Sequence, residues 1–309
     1  MNRLAGIIVA AVGLVISVLA VLKVLPGLTG PGVILTLTGG LVIGLSFVPR
    51  PNADGDERMS TPATLLNIFL SPGKVFRNLR RHPRWLVALI IMSCLSAVYF
   101  NLFLYRLTPD IVTNYAIDKS LEMSYVQNNE KVRTNIEEGR PKALEDQKNP
   151  LIRAGQGVAG FCGALFGYAF LAVLFFVFVM AMGGQMNYLQ ALSAVIYAAF
   201  PVSVIRFVLN SILLFVKDPS DIHPVRGQST LIQDNLNFLV SPADHPVIFS
   251  VLGVLGILWF YWVWLNAIGI KDAGEKVSGS TAWTAAIGVY VMLILLVGVS
   301  GFLFGNFLS

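Results

Sequence analysis

The chain has 309 residues, of which 55% are hydrophobic and only 13% are charged. Soluble domains carry about 25% charged residues, and the mean hydropathy of this chain is +0.71. A soluble core could not bury so much apolar surface. Composition therefore excludes a soluble enzyme, a disordered tail, a collagen and a disulfide-stapled miniprotein, and it predicts that most of the chain lies in lipid.

Seven apolar stretches are candidates for membrane-spanning helices, because about 20 apolar residues are needed to cross the hydrocarbon core. The second stretch is short and rich in glycine, so it either spans or lies partly in the interface. The sequence thus predicts an all-α, polytopic transmembrane helical bundle with about seven spans. The stretches cover residues 4–24, 31–48, 85–106, 155–182, 187–216, 246–270 and 281–308.

These stretches divide the chain into three predicted parts. Residues 1–50 form an N-terminal two-helix membrane hairpin, residues 51–84 a basic amphipathic segment, and residues 85–309 a five-helix membrane domain. The last part contains a polar loop at 107–150. We expect this loop to form one or two solvent-facing helices, broken at residues 139–141 by a glycine and a proline.

The charges of the loops differ in sign along the chain. Residues 49–84 hold seven basic and three acidic side chains, Arg50 among the basic ones. The loops at 107–150 and 217–245 are both net acidic, and the second contains a predicted short amphipathic helix at 229–239. The positive-inside rule places the basic segment in the cytoplasm. Seven spans then put the N-terminus in the cytoplasm and the C-terminus outside.

The basic segment contains a short amphipathic helix before the third span. Ser71 and Pro72 are typical of a helix start, and an apolar face of Val75, Phe76 and Leu79 follows. One interpretation is that the helix binds anionic lipid headgroups or a partner protein. The other is that it only provides the topology signal that flanks a span. The candidate lipid- or partner-binding residues are Lys74, Arg77, Arg80, Arg81 and Arg84.

Arg206 is the only charged side chain well inside an apolar stretch, where an arginine costs at least about 2.5 kcal/mol on insertion scales. Asn210 lies one helical turn further on, and Asn101 on the third span is another candidate partner. Either Arg206 lines a wet cavity or binds an anionic headgroup, or it extends outward as a structural anchor. Because every acidic residue falls in a loop, we expect no carboxylate among the spans beside it.

Small residues recur at four-residue spacing on two of the predicted spans. They are Ala159, Gly163 and Gly167 on the fourth, and Gly301 and Gly305 on the seventh. This spacing lets two helix backbones approach closely. We expect contacts within the bundle, and a homodimer seam is the alternative.

The sequence contains no recognised catalytic motif. Nucleophile-elbow, zinc-protease and P-loop patterns are missing, and the acids and histidines of the loop at 217–245 fit no dedicated metal motif. The predicted spans also lack Asp, Glu and His, which disfavours a proton- or sodium-coupled carrier. We therefore assign no catalytic residue, no metal and no cofactor, and we expect no nucleic-acid partner.

Three segments, in this order, resemble the Yip1 family: FLSPGKVFRNLRRHPRW, GGQMNYLQALSAVIYAAFP and LWFYWVWLNAIGIKDAGEKVSGSTAWTAA. The resemblance covers about residues 62–306 and implies a five-helix membrane domain with a cytoplasmic N-terminus and no catalytic residues. Eukaryotic relatives are associated with Rab GTPases and vesicle traffic. Bacterial members resemble this chain in layout, which implies a bacterial-type protein of the inner (cell) membrane.

Two functions follow from these observations. The first is a non-enzymatic integral membrane protein that organises lipids, through their anionic headgroups, or membrane-protein partners through its basic helix. The alternative is a facilitator or channel for a small solute or anion, with Arg206 in the pathway. The alternative requires a cavity that reaches Arg206.

Overall fold

A computed structural model describes residues 3–49, 51 and 57–308 of the chain. Arg50, which belongs to the predicted basic segment, lies outside the described residues. The α-helices are α1 (Arg3–Val21), α2 (Thr29–Leu45), α3 (Thr61–Leu70), α4 (Pro72–Arg81), α5 (Leu86–Leu107), α6 (Pro109–Leu121), α7 (Ser124–Gln127), α8 (Glu130–Lys148), α9 (Pro150–Ala181), α10 (Tyr188–Val216), α11 (Pro246–Gly253), α12 (Ile257–Ala273) and α13 (Gly279–Phe304). Short 3₁₀ helices lie at Pro219–Asp221, Arg226–Gln228, Leu236–Leu239 and Gly305–Phe307.

The predicted fold class is confirmed. Among the described residues, five helices are long and apolar enough to cross a membrane: α1, α5, α9, α10 and α13. The second predicted stretch forms α2, which has 17 residues. The sixth does not form one continuous helix, because α11 ends at Gly253 and α12 begins at Ile257. The protein is thus an integral membrane protein with multiple candidate spans.

The chain folds into two compact units. The first comprises the described residues of Met1–Cys94, Ala154–Val202 and Trp262–Val289. The second comprises those of Leu95–Arg153, Ser203–Tyr261 and Tyr290–Ser309. Each unit therefore combines segments that are far apart in the sequence.

In the first unit, α1 and α2 pack against each other through glycine. A Cβ atom on Gly39 would lie 2.3 Å from the backbone nitrogen of Ala10, and one on Gly13 would lie 2.4 Å from the backbone nitrogen of Thr36. Lipid provides no hydrophobic drive between two apolar helices, so close van der Waals contact has to hold them together. Glycine permits that contact because it has no side chain.

In the second unit, the predicted helix break in the polar loop is wrong. Helix α8 continues through Pro141. On one side of this proline, Arg140 forms an ion pair of 2.6 Å with Asp118 on α6. On the other side, Lys148 forms one of 2.8 Å with Asp110, also on α6. Tertiary contacts on both sides keep α8 helical although the proline removes one helix hydrogen bond.

The two small-residue motifs differ in whether they contact another helix. A Cβ atom on Gly301 would lie 2.5 Å from Ser250 Oγ, and one on Gly305 would lie 2.7 Å from Pro246 Cβ. The expected close contact within the bundle is confirmed there, since both partners belong to α11. The same expectation is wrong for Gly163 and Gly167, which face open space in the part of the chain that the structure describes. For α9 the homodimer seam stays a prediction.

We predict that Gly39→Ala destabilises the α1–α2 pair by about 1–3 kcal/mol, the usual cost of forcing extra volume into close packing. Gly40→Ala is the matched control, because it is the neighbouring residue on the same helix and a Cβ atom there meets nothing within 4 Å. Thermal unfolding in mild detergent measures both variants. Equal midpoints for the two would contradict the contact.

Candidate functional site

Helix α4 docks on the first unit through its apolar face. Val75, Phe76 and Leu79 are completely buried. The ring of Phe76 lies against Gly269 on α12, where a Cβ atom would come within 3.0 Å of it. Burial of such side chains stabilises the docked helix by about 1.5–3 kcal/mol each. The apolar face of α4 is therefore taken up by the protein itself.

Hydrogen bonds fix the C-terminal end of α4 in place. Arg80 Nη2 donates to the carbonyl oxygen of Glu275 at 2.9 Å, in the turn between α12 and α13. Gln190 Nε2 on α10 donates to the carbonyl oxygen of Arg80, also at 2.9 Å. Gln190 is completely buried. These bonds connect α4 to two other parts of the first unit.

The Gly-Gly turn between α9 and α10 meets the turn between α12 and α13. The backbone nitrogen of Glu275 donates to the carbonyl oxygen of Gln185 at 2.8 Å. The backbone nitrogen of Gln185 donates to the carbonyl oxygen of Lys276 at 3.3 Å. Gly184 lies against this turn, where a Cβ atom would be 3.3 Å from the carbonyl oxygen of Lys276. The three segments that carry the family resemblance thus meet at one place.

Arg84 also forms hydrogen bonds within the protein. Its Nη2 donates to Thr64 Oγ1 on α3 and, at 3.4 Å, to Asn78 Oδ1 on α4. Burial lowers the pKa of the Arg84 guanidinium. Thr64 is completely buried. Arg84 therefore joins the two short helices to the start of α5.

The other three predicted cations, Lys74, Arg77 and Arg81, are exposed on α4. On the preceding helix, Leu66 is 63% and Leu70 is 71% exposed. We call these three cations the α4 basic surface. Exposed cations beside exposed apolar side chains are typical of a segment that lies in a membrane interface.

The second unit contains a cavity of about 590 Å³, which we call the Arg206 cavity. Arg206 of α10 and Trp259 of α12 both line it. The guanidinium carbon of Arg206 lies 5.5 Å from the centre of the Trp259 ring, a cation–π contact. Sites for small ligands in proteins have volumes of about 300–1,000 Å³. The cavity is thus large enough to hold a ligand.

The loop between α10 and α11 forms much of the cavity wall. Asn210 Oδ1 accepts a hydrogen bond of 2.9 Å from the backbone nitrogen of Leu231, and Asn210 Nδ2 donates to the carbonyl oxygen of Ser229 at 3.4 Å. Asn210 and Leu231 are buried. The predicted amphipathic helix at 229–239 is wrong, because this segment is helical only at Leu236–Leu239 and forms hydrogen bonds with α10 and α12.

The same loop provides hydrogen-bond partners for the backbone at the break in the sixth apolar stretch. The carbonyl oxygen of Asp234 accepts from the backbone nitrogen of Ile257 at 3.1 Å, and Asp234 Oδ2 accepts from that of Leu258 at 3.0 Å. Asp234 thus caps α12. The hydroxyl of Tyr290 donates to the carbonyl oxygen of Val254 at 2.6 Å. Polar backbone groups that the break leaves open are satisfied in this way.

The break lies beside the middle of α13, a candidate membrane span. Tyr290 is the twelfth of the 26 residues of α13, which places it about 16 Å along that helix. Irregular backbone at such depth is tolerated only where it is buried in protein or lines a cavity. Asp234, which belongs to the loop and not to a span, lines the Arg206 cavity together with Arg206.

The structure does not bring Asn101 to this site. Asn101 is exposed, and its Nδ2 donates to the carbonyl oxygen of Ala97 in its own helix at 2.8 Å. Sequence reasoning overlooked Asp234, Trp259 and Tyr290. A signal was present in the sixth apolar stretch, where Gly253 and Gly256 lie three residues apart and favour a helix break.

We predict that Asn210→Leu destabilises the protein by about 1–3 kcal/mol, because the buried backbone nitrogen of Leu231 loses its acceptor and the carbonyl oxygen of Ser229 loses a donor. Asn101→Leu is the control, since it makes the same substitution at an exposed position on another span. Thermal unfolding in mild detergent and protease cleavage within residues 217–245 report on the change. Unchanged cleavage and stability in Asn210→Leu would contradict the role of this side chain.

Comparison with known proteins agrees with the arrangement of these segments. The model of the Yip1 domain matches residues 66–302, which is more than half of the chain. No curated protein and no solved structure matches this chain. Proteins of this family are typically non-enzymatic membrane proteins. The chain therefore belongs to the Yip1 family.

Proposed function

We propose that this protein is a non-enzymatic Yip1 membrane protein that binds anionic lipid headgroups at the cytoplasmic face of a bacterial inner membrane. The supporting observation is the docking of α4, whose Val75, Phe76 and Leu79 are buried in the protein while Lys74 and Arg77 face outward. A docked helix holds its cations in fixed positions, so less entropy is lost on binding. Each cation near an anionic surface contributes about 1 kcal/mol.

The proposed orientation follows from charge. The segment that carries the α4 basic surface is net basic, and the loops at 107–150 and 217–245 are net acidic. Basic segments remain in the cytoplasm, so we place the N-terminus in the cytoplasm and the C-terminus outside. Leu66 and Leu70 of α3 then enter the headgroup region beside the cations.

An acidic membrane-protein partner is a second occupant of the same surface. The exposed apolar side chains of α3 favour lipid, because Leu66, Phe69 and Leu70 would all contact acyl chains in an interfacial helix. Lipid is therefore the proposed occupant of this surface, and binding of a membrane protein there is the alternative outcome of the experiment.

We expect the triple variant K74Q/R77Q/R81Q to lose most of its anionic lipid. The protein is reconstituted in vesicles of equal phosphatidylglycerol and phosphatidylcholine and extracted in mild detergent, and the retained lipids are quantified. Loss of three cations, each worth about 1 kcal/mol, reduces the enrichment of phosphatidylglycerol at least fivefold. Protein that co-purifies with the wild type from native membranes is identified in parallel.

The matched control is K131Q/R133Q/K142Q, which removes three exposed cations from α8 and changes the net charge equally. It retains the lipid enrichment of the wild type. Equal enrichment in the two triple variants argues against a lipid-binding role of α4. Loss of an acidic protein from the K74Q/R77Q/R81Q preparation, with unchanged lipid, points to the partner instead.

The Arg206 cavity supports the alternative, a facilitator for a small anion. All of its lining residues belong to the second unit, whereas a passage needs lining residues along the full height of the spans. The alternative therefore has weaker support than the α4 basic surface. If it is correct, proteoliposomes show chloride or phosphate flux that Arg206→Gln abolishes; no flux above empty vesicles excludes it.

A further inference from the structure

We infer that the Arg206 cavity binds one anionic phospholipid, with the phosphate between Arg206 and Arg226 and an acyl chain along the apolar wall. This site is distinct from the α4 basic surface, since every residue that lines it belongs to the second unit. The inference does not depend on the proposed function. It rests on the charges of the cavity, the cation–π contacts of its arginines and the exposed apolar side chains at its rim.

The charges of the cavity favour an anion. Three cations line it, Arg206, Lys217 and Arg226, against the two carboxylates of Asp221 and Asp234. One of these carboxylates already serves the protein, because Asp234 Oδ2 accepts the hydrogen bond that caps α12. A net positive cavity in a membrane-spanning unit is costly unless an anion neutralises it.

Both arginines make cation–π contacts with aromatic rings. Arg206 lies over Trp259, and the guanidinium carbon of Arg226 lies 5.3 Å from the centre of the Phe249 ring. Such a contact stabilises a guanidinium in one position, and a guanidinium binds phosphate through charge-assisted hydrogen bonds.

Part of the lining is apolar and continues to the rim. Leu231, Phe249 and Val254 are buried in the wall. Phe238 lines the cavity and is 65% exposed, and its neighbour Leu239 is 64% exposed. A rim of exposed apolar side chains suits a ligand that enters from the bilayer. A soluble phosphate would leave this wall without contacts, which favours a lipid.

Native mass spectrometry of the full chain in mild detergent tests the inference. Four probes are titrated: phosphatidylglycerol, phosphatidylcholine, glycerol phosphate and inorganic phosphate. We expect one tightly bound phosphatidylglycerol per chain, at least tenfold preferred over phosphatidylcholine, and no competition from either soluble phosphate. Competition by the soluble phosphates at equal concentration, or equal binding of phosphatidylcholine, overturns the inference.

Two variants locate the bound lipid. Arg226→Gln weakens phosphatidylglycerol binding about tenfold, as expected for the loss of a charge-assisted hydrogen bond of about 1.4 kcal/mol. Val297→Trp fills the cavity and retains every cation, so it displaces the lipid even if Arg226→Gln folds poorly. Arg133→Gln, on exposed α8, and K74Q/R77Q/R81Q retain the tight site. Wild-type binding in both Arg226→Gln and Val297→Trp overturns the assignment.

Discussion

The second unit depends on one requirement, that backbone N–H and C=O groups find partners where no water reaches them. The sixth apolar stretch breaks between Gly253 and Ile257 and leaves such groups open. Asp234 and Tyr290 satisfy them with a carboxylate and a hydroxyl. The loop that carries Asp234 has to fold against the helices to do so, and the Arg206 cavity is the space that this loop encloses with α10 and α12.

The two units use arginine differently for the same electrostatic reason. In the first unit, Arg80 and Arg84 give hydrogen bonds to protein oxygens, and the cations of the α4 basic surface remain in contact with the surroundings. In the second unit, Arg206 and Arg226 make cation–π contacts with aromatic rings. A cation away from water needs hydrogen bonds, an aromatic face or an anion.

Local sequence patterns correctly predicted those features that depend only on residues close together in the chain. Length and apolarity predicted seven spans, because crossing lipid requires both, and five of them form long apolar helices among the described residues. The same reasoning failed at Pro141, which lies inside α8 between two residues that contact α6. It also could not tell Asn210 from Asn101: both are amides on apolar spans, but only Asn210 meets the backbone of a distant loop.

The sequence by itself determined that this is an integral membrane protein, where its long apolar helices lie and which family it resembles, because hydropathy and motif order are properties of contiguous residues. Only the tertiary structure decided which polar groups meet. The apolar face of α4 turned toward the protein, and Asp234 entered the cavity of Arg206 from a loop. Both outcomes depend on contacts between residues far apart in the chain, for which the local sequence contains no periodic signal.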